Sequence, residues 1–162
     1  CPLALARAGA LAVGVRARDE AVEMGKANAR VNRVDHASAF YAEDLYGEGG
    51  ALVSVTDESG GTVPTGSSIN ARFEHFAQSP DALILDPPRS GAGPNLEGWA
   101  GIPSLKQIVY VSCNPVTFAE DAKRLKAKGY VLEQVGVYDM FPGTAHVETV
   151  GRFVRTSVVG SD

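Results

Sequence analysis

The sequence lacks long apolar runs and is poor in cysteine, and both absences exclude classes of protein. No run approaches the roughly 20 apolar residues of a transmembrane helix, and no segment resembles a signal peptide, so we expect no membrane association. Two cysteines, Cys1 and Cys113, do not make a disulfide framework, which favours a location in the reducing cytoplasm. Histidines and cysteines show no metal-ligand spacing, so we expect no bound metal.

Positive charge is not in excess either. The 15 lysines and arginines are outnumbered by 19 aspartates and glutamates, and the formal net charge is −4 at pH 7. This balance argues against a free-standing electrostatic nucleic-acid binder, although it permits an RNA enzyme whose binding surface lies on another domain. The chain starts without methionine, directly on a helix that begins at Pro2, and reads as a fragment. We therefore predict one partial domain over 1–162.

Apolar patterning in the first half predicts alternating helices and strands. The order α-β-α-β is typical of a doubly wound sheet. A stretch rich in Gly, Ser and Thr then interrupts it, which we interpret as a flexible insertion or a surface hairpin. The predicted elements are a helix over 2–8, a strand over 11–15, a helix over 19–32 with Asp19 as N-cap, a strand over 37–41, and the insertion over 46–69.

The second half contains further strands, and its last two are predicted to be antiparallel. The segment 139–146 that joins them is too short for a crossover helix. Asn114 is a good N-cap, Pro115 suits the first helical position and Gly129 ends the helix between them. The predicted elements are helices over 70–78, 95–105 (weakly) and 115–128, and strands over 81–86, 108–112, 130–137 and 147–154.

Cys113 stands where the strand over 108–112 gives way to a helix. Ligands of open α/β sheets bind at the carboxyl ends of the strands, which makes this cysteine a candidate for chemistry. A buried structural cysteine is the alternative interpretation.

Three polar clusters follow three successive predicted strands and can converge at one sheet edge. They are Asp86 with Arg89, Cys113 with Asn114, and the segment 139–148 that ends in Glu148. Each has a plainer interpretation. The Pro-Pro turn after Asp86 can simply end a strand, and Arg89 and Glu148 can be ordinary exposed charges. Two further features are interpreted as ordinary, namely His146 as a loop histidine and the basic run over 123–128 as a solvated helix end.

Taken together, the clusters resemble one family. The motifs DPPRSG at 86–91, SCNP at 112–115, DMFP at 139–142 and HVE at 146–148 are similar to the signatures of RNA uracil-5-methyltransferases. These S-adenosylmethionine-dependent enzymes make 5-methyluridine in tRNA and in 23S rRNA. The resemblance covers 1–45 loosely and 80–155 closely. It implies a Rossmann-like methyltransferase fold, mostly parallel with an antiparallel last strand and truncated at its N-terminus, that acts as a monomer on RNA.

The resemblance also implies roles for individual residues. Cys113 matches the nucleophile that adds to uracil C6 and makes C5 reactive toward the methyl group. Glu148 matches the general base that removes the C5 proton. Asp86 matches a carboxylate that touches both the methyl donor and the target base, and Arg89 and Asn114 are the further substrate-side candidates.

The cofactor half departs from the family pattern. The Gly-rich turn after the first strand is missing, and the strand it follows would be central in the sheet. Arg16 occupies the position of the acid that holds the ribose hydroxyls, although arginine cannot accept hydrogen bonds. Asp44 corresponds to an acid near the adenine, and Gly143 replaces a common histidine. Arg16 and Asp44 remain the candidate cofactor positions, and we expect this segment alone to bind S-adenosylmethionine poorly.

Three alternatives stay open at this point. RNA cytosine-5 methyltransferases carry a cysteine in the turn where this chain has Pro88 and Arg89. Amino-group methyltransferases place an aromatic residue at position 89 and need no thiolate. A degenerate RNA- or protein-binding domain is suggested by Arg16 and the missing turn, whereas intact Cys113 and Glu148 argue against decay.

Overall fold

The computed structural model describes residues 2–16, 18–42, 79–140, 142–144 and 146–156, with only the backbone of Arg16 and Ala42. The predictions for Asp44, the insertion over 46–69 and the helix over 70–78 lie outside these residues. The described residues belong to two compact units, within Cys1–Gln78 and Ser79–Asp162. Each unit has its own sheet, and a single partial domain over 1–162 stays a prediction. No helix in the described part is long and apolar enough to cross a bilayer.

The first unit follows the predicted α-β-α-β order. Its two strands are parallel, and Phe40 on the second packs against Gly14 and Gly25, where a Cβ would lie only 2.9 and 2.6 Å from its ring. Asp19 is the first helical residue and not the predicted N-cap, because Arg18 occupies the cap position without a side-chain bond. The elements are α1 (Pro2–Arg7), β1 (Ala12–Arg16), α2 (Asp19–Val31) and β2 (Ser38–Ala42).

The second unit is a four-stranded mixed sheet with helices after two of its strands. The strand order is β3-β4-β6-β5, in which β3 and β4 are parallel while β6 is antiparallel to both of its neighbours. The prediction of an antiparallel last pair is therefore confirmed. The elements are β3 (Ala82–Leu85), α3 (Leu96–Ala100), β4 (Gln107–Ser112), α4 (Pro115–Ala127), β5 (Tyr130–Tyr138) and β6 (Glu148–Arg155).

Helix α4 begins and ends where the sequence predicts. The Asn114 side chain accepts a hydrogen bond of 3.1 Å from the Val116 N–H, and Pro115 is the first helical residue. Gly129, with φ of 84°, follows the last turn in the left-handed conformation that favours glycine. The helix start is thereby anchored directly behind Cys113.

The core of this unit lies between α4 and one face of the sheet. The Phe118 ring meets those of Tyr110 and Phe153 at centroid distances of 5.6 and 5.9 Å. A Cβ on Gly151 would lie 2.6 Å from Phe118, so glycine makes room for the ring. Through this contact α4 packs against β4 and β6, the strands that flank the candidate site.

Candidate active site

The three predicted clusters lie at one edge of the second sheet. Leu85 pairs with Tyr110 in the parallel ladder, so Asp86 lies just past the end of β3, level with Val111. Strand β4 ends at Ser112 and leads into Cys113. Strand β6 runs in the opposite direction and begins at this same edge with Glu148.

The strand register brings Cys113 and Glu148 to the same end of the β4–β6 pair. The last pair of this antiparallel ladder is Ser112 with Thr149; Cys113 directly follows Ser112, and Glu148 directly precedes Thr149. Cys113, a free thiol, and Glu148 are both half-buried. A free thiol and a carboxylate thus lie at the same end of this strand pair.

Side-chain alternation adds Asp86 to this pair. Leu85, Ser112 and Thr149 are buried on the sheet face that α4 covers. Since successive side chains along a strand point to opposite faces, the residues next to them belong to the other face. Asp86, which is exposed, therefore shares a face and an edge with Cys113 and Glu148.

Hydrogen bonds fix the turn that carries Cys113. The Ser112 hydroxyl donates to the Asn114 carbonyl at 3.0 Å and accepts from the Asn114 N–H at 3.1 Å. The Asn114 amide caps α4 with its oxygen and donates through Nδ2 to the Arg89 carbonyl at 3.0 Å. Both ends of this amide have protein partners, and its predicted contact with substrate stays a prediction.

Arg89 joins three segments of the edge. Its carbonyl accepts from Asn114 and from the Thr117 hydroxyl, the latter at 3.2 Å, which ties the turn after β3 to the start of α4. Its guanidinium Nη2 lies 2.7 Å from Nδ1 of His146, in the segment before β6. The interpretation of His146 as an ordinary loop histidine misses this contact, for which the sequence signal was its place in the HVE motif, two residues before Glu148.

The sequence analysis also missed Asp121, a buried carboxylate beneath this edge of the sheet. Asp121 is only 4% exposed and accepts hydrogen bonds from the Ala92 N–H at 2.8 Å, from the Tyr110 hydroxyl, and from Arg124 at 2.6 Å. It therefore ties the turn that begins at Asp86 to β4 and α4. Its position on the inner face of α4, in register with Phe118 and Leu125, was the available signal.

Arg124 corrects the interpretation of the basic run as a solvated helix end. Its partly buried guanidinium pairs with Asp121 and, at 2.5 Å, with Glu97, and it donates to the Gly93 carbonyl. The hydrogen bond from Arg124 holds the pKa of Glu97 below its ordinary value. This pair therefore stabilises the fold near neutral pH, and the contribution is lost as the pH falls through the lowered pKa.

Asp121→Ala is expected to lower the free energy of unfolding by about 2–4 kcal/mol, because the Ala92 N–H and the Tyr110 hydroxyl lose this buried acceptor and Arg124 loses one of its two carboxylate partners. Urea unfolding of the complete protein measures the change. Glu120→Ala removes an exposed neighbour on the same helix and is expected to have little effect. Equal stability of the two variants would contradict the role given to Asp121.

The three candidate residues for binding the methyl donor, unlike the catalytic candidates, do not all belong to the second sheet. Arg16 is the last residue of β1 in the first unit, and Asp44 lies outside the described residues. Asp86 and Asp44 are the two candidates that can accept a hydrogen bond, and only Asp86 is described. It is an exposed carboxylate at the end of β3 and can accept a hydrogen bond from a nucleoside. Arginine at position 16 offers no acceptor for ribose hydroxyls. Among the described residues, Asp86 is thus the candidate acceptor for S-adenosylmethionine.

Comparison with known proteins agrees with the motifs. A sequence model of the family described as tRNA (uracil-5-)-methyltransferase matches residues 71–156. The 23S rRNA (uracil(1939)-C(5))-methyltransferase of Hahella chejuensis is 38% identical over 94% of this chain and 30% of its own length. The corresponding enzyme of Aromatoleum aromaticum is 37% identical over 94% of this chain and 31% of its own length.

A solved structure agrees as well. The tRNA (uracil-54, C5)-methyltransferase of Pyrococcus abyssi, in complex with S-adenosyl-L-homocysteine, superposes with a TM-score of 0.67 at 33% identity, over 94% of this chain and 31% of that one. The predicted Rossmann-like methyltransferase fold is thereby confirmed. The chain spans about a third of the length of each of these relatives.

Proposed function

Because the chain belongs to the tRNA (uracil-5-)-methyltransferase family, we propose that it carries the catalytic edge for transferring a methyl group from S-adenosylmethionine to C5 of a uridine in tRNA or rRNA. The observation that carries the proposal is the strand register that brings Cys113 and Glu148 to the same end of the β4–β6 ladder, with Asp86 directly after β3 at the same edge. The named activities of the relatives support the reaction, and the chemistry of these three side chains supports their roles.

Cys113 is the nucleophile of the proposed reaction. Uracil C5 is a weak nucleophile, and addition of the Cys113 thiolate to C6 makes C5 enolate-like. S-adenosylmethionine supplies an electrophilic methyl group on its sulfonium sulfur. C5 would take that methyl group as the bond between the methyl carbon and the sulfonium sulfur breaks, which would leave S-adenosylhomocysteine, while the uracil stays attached to the protein through the C6–S bond.

Glu148 completes the cycle as the general base. Its carboxylate takes the proton from C5, and the electron pair of that C–H bond re-forms the C5–C6 double bond. The C6–S bond breaks in the same elimination and returns the Cys113 thiolate. The place of Glu148 at the Cys113 end of the β4–β6 ladder supports this role, because the base must reach the carbon next to the one that carries the thiolate.

Asp86 and Arg89 orient the reactants in this scheme. Asp86 is an exposed carboxylate directly after β3, where it can accept hydrogen bonds from the base and from the methyl donor. Arg89 holds the turn after β3 in place and presents a cation at the exposed edge. The target base must leave its stack to reach these groups, as single-stranded RNA permits.

RNA is the proposed macromolecular partner. With a net charge of −4 on this chain, most of the affinity for phosphate must come from residues outside it. A monomeric state and a cytoplasmic location belong to the same proposal. The cytosine-5 alternative and the degenerate-domain alternative, which Arg16 suggests, are both outcomes of the test below.

Tritium release from RNA labelled at C5 of uridine tests the proposal on the complete protein. We expect one tritium to be released for each methyl group incorporated, only when S-adenosylmethionine is present, because substitution at C5 expels the label. Release from cytidine-labelled RNA instead would identify a cytosine enzyme. Retained RNA binding without release from either label would support a degenerate binding domain.

A further inference from the structure

His146 occupies a place that the proposed mechanism does not use. It precedes Glu148 by two residues in the segment that enters β6, and its Nδ1 lies 2.7 Å from Arg89 Nη2. A guanidinium can only donate, so His146 accepts at Nδ1. This contact requires a neutral imidazole whose own proton is on Nε2.

The partner of His146 is itself fixed to the nucleophile side. The Arg89 carbonyl accepts from Asn114 at 3.0 Å and from Thr117 at 3.2 Å, and Asn114 directly follows Cys113. A continuous chain of bonds therefore runs from the Cys113 turn, through Asn114 and Arg89, to His146. These bonds connect the Cys113 turn to the segment before β6 through the turn after β3, and they are separate from the backbone pairs of the β4–β6 ladder.

Glu148 needs such a support because of where the ladder stops. The last β4–β6 pair is Ser112 with Thr149, so Glu148 lies one residue beyond it and pairs only with Tyr138 of β5 in the sheet register. The half-buried carboxylate can shift relative to Cys113 if the preceding segment moves. The Arg89–His146 bond holds that segment toward the Cys113 side.

We propose that His146 is a positioning residue for removal of the C5 proton: by accepting from Arg89 it sets the Glu148 carboxylate against the uracil bound to Cys113. The inference rests on the proposed function and deepens it. The role of His146 affects only the second half of the reaction, because thiolate addition and methyl transfer do not use Glu148 whereas elimination does. Loss of the bond should therefore slow elimination and leave the earlier steps almost unchanged.

The test compares His146→Leu with His146→Asn in the complete protein, under single-turnover conditions with ordinary uridine RNA. Leucine removes the acceptor, while the asparagine oxygen stands close to the position of Nδ1. For His146→Leu we expect product formation to fall about tenfold, a protein–RNA adduct that survives denaturation to accumulate, and the Kd for RNA to stay unchanged. His146→Asn should recover most of the rate and abolish the accumulation.

A second comparison asks whether His146 acts through Arg89. In an Arg89→Met background the bond is already gone, so adding His146→Leu should slow elimination no further. The inference is overturned if His146→Leu has its full effect in that background, if His146→Asn is as slow as His146→Leu, or if product falls without adduct. Wild-type activity in His146→Leu overturns the role of His146 and leaves the proposed function intact. If the wild-type protein releases no tritium, both the proposed function and the role of His146 are overturned.

Discussion

Cys113→Ala is expected to abolish methylation, with a loss on the order of 10⁴-fold or more in turnover. Without the thiolate, C5 keeps the low reactivity of a free uracil, and no other side chain at this edge of the described sheet is a comparable nucleophile. The fold should survive, because Cys113 is half-buried in a turn that Ser112 and Asn114 hold through their own hydrogen bonds.

RNA that contains 5-fluorouridine gives the sharpest measurement of this variant. Fluorine at C5 cannot leave as a proton, so the wild-type protein with S-adenosylmethionine should form an adduct that survives denaturing electrophoresis. Cys113→Ala should form none, and Cys1→Ala, which removes the other thiol of the chain, should form as much as wild type. An adduct that persists in Cys113→Ala would refute the assignment of the nucleophile.

Glu148→Gln is expected to lower turnover by about 10²–10⁴-fold while allowing the adduct to form. Glutamine keeps the size of the half-buried side chain but cannot take the C5 proton, so the methylated uracil stays bonded to Cys113. With ordinary uridine RNA and a labelled methyl donor, the label should appear on the protein–RNA adduct in a denaturing gel.

Glu120→Gln is the matched control for this variant, since Glu120 is an exposed carboxylate on α4 away from the edge. It should turn over at the wild-type rate without trapped label. Free methylated RNA formed by Glu148→Gln at the wild-type rate would exclude Glu148 as the base. The two substitutions at the site thus have opposite signatures, since one prevents the adduct and the other preserves it.

Much of the secondary structure followed from local rules in the sequence, although Asp19 is the first residue of α2 and not its predicted N-cap. Asn114, Pro115 and Gly129 bound α4 because caps and helix ends depend on residues within one turn of each other. The short connection between β5 and β6 required an antiparallel pair. The motif containing Cys113 was likewise visible, because it lies on consecutive residues.

Long-range contacts could not be predicted in this way. Asp121 and Arg124 looked like ordinary helix charges, and only packing shows that one is buried beneath the turn after β3 and that the other reaches Glu97. Arg89 and His146 meet because the segments after β3 and before β6 share an edge. The residues next to Arg89 in the sequence do not indicate that it contacts His146, and those next to His146 do not indicate that it contacts Arg89.

The sequence by itself determined the elements, the motifs and the chemistry that the side chains offer at their strand ends. Only the tertiary structure decided that Cys113 and Glu148 come to the same end of the β4–β6 ladder, because that depends on strand register. The β5–β6 pairing shifts between Leu132 and Gln134, and a slip of one residue in a ladder would move every later side chain to the other face. Register is set by packing across the whole sheet, here by Phe118 over Gly151, and such packing joins residues that are distant in the chain.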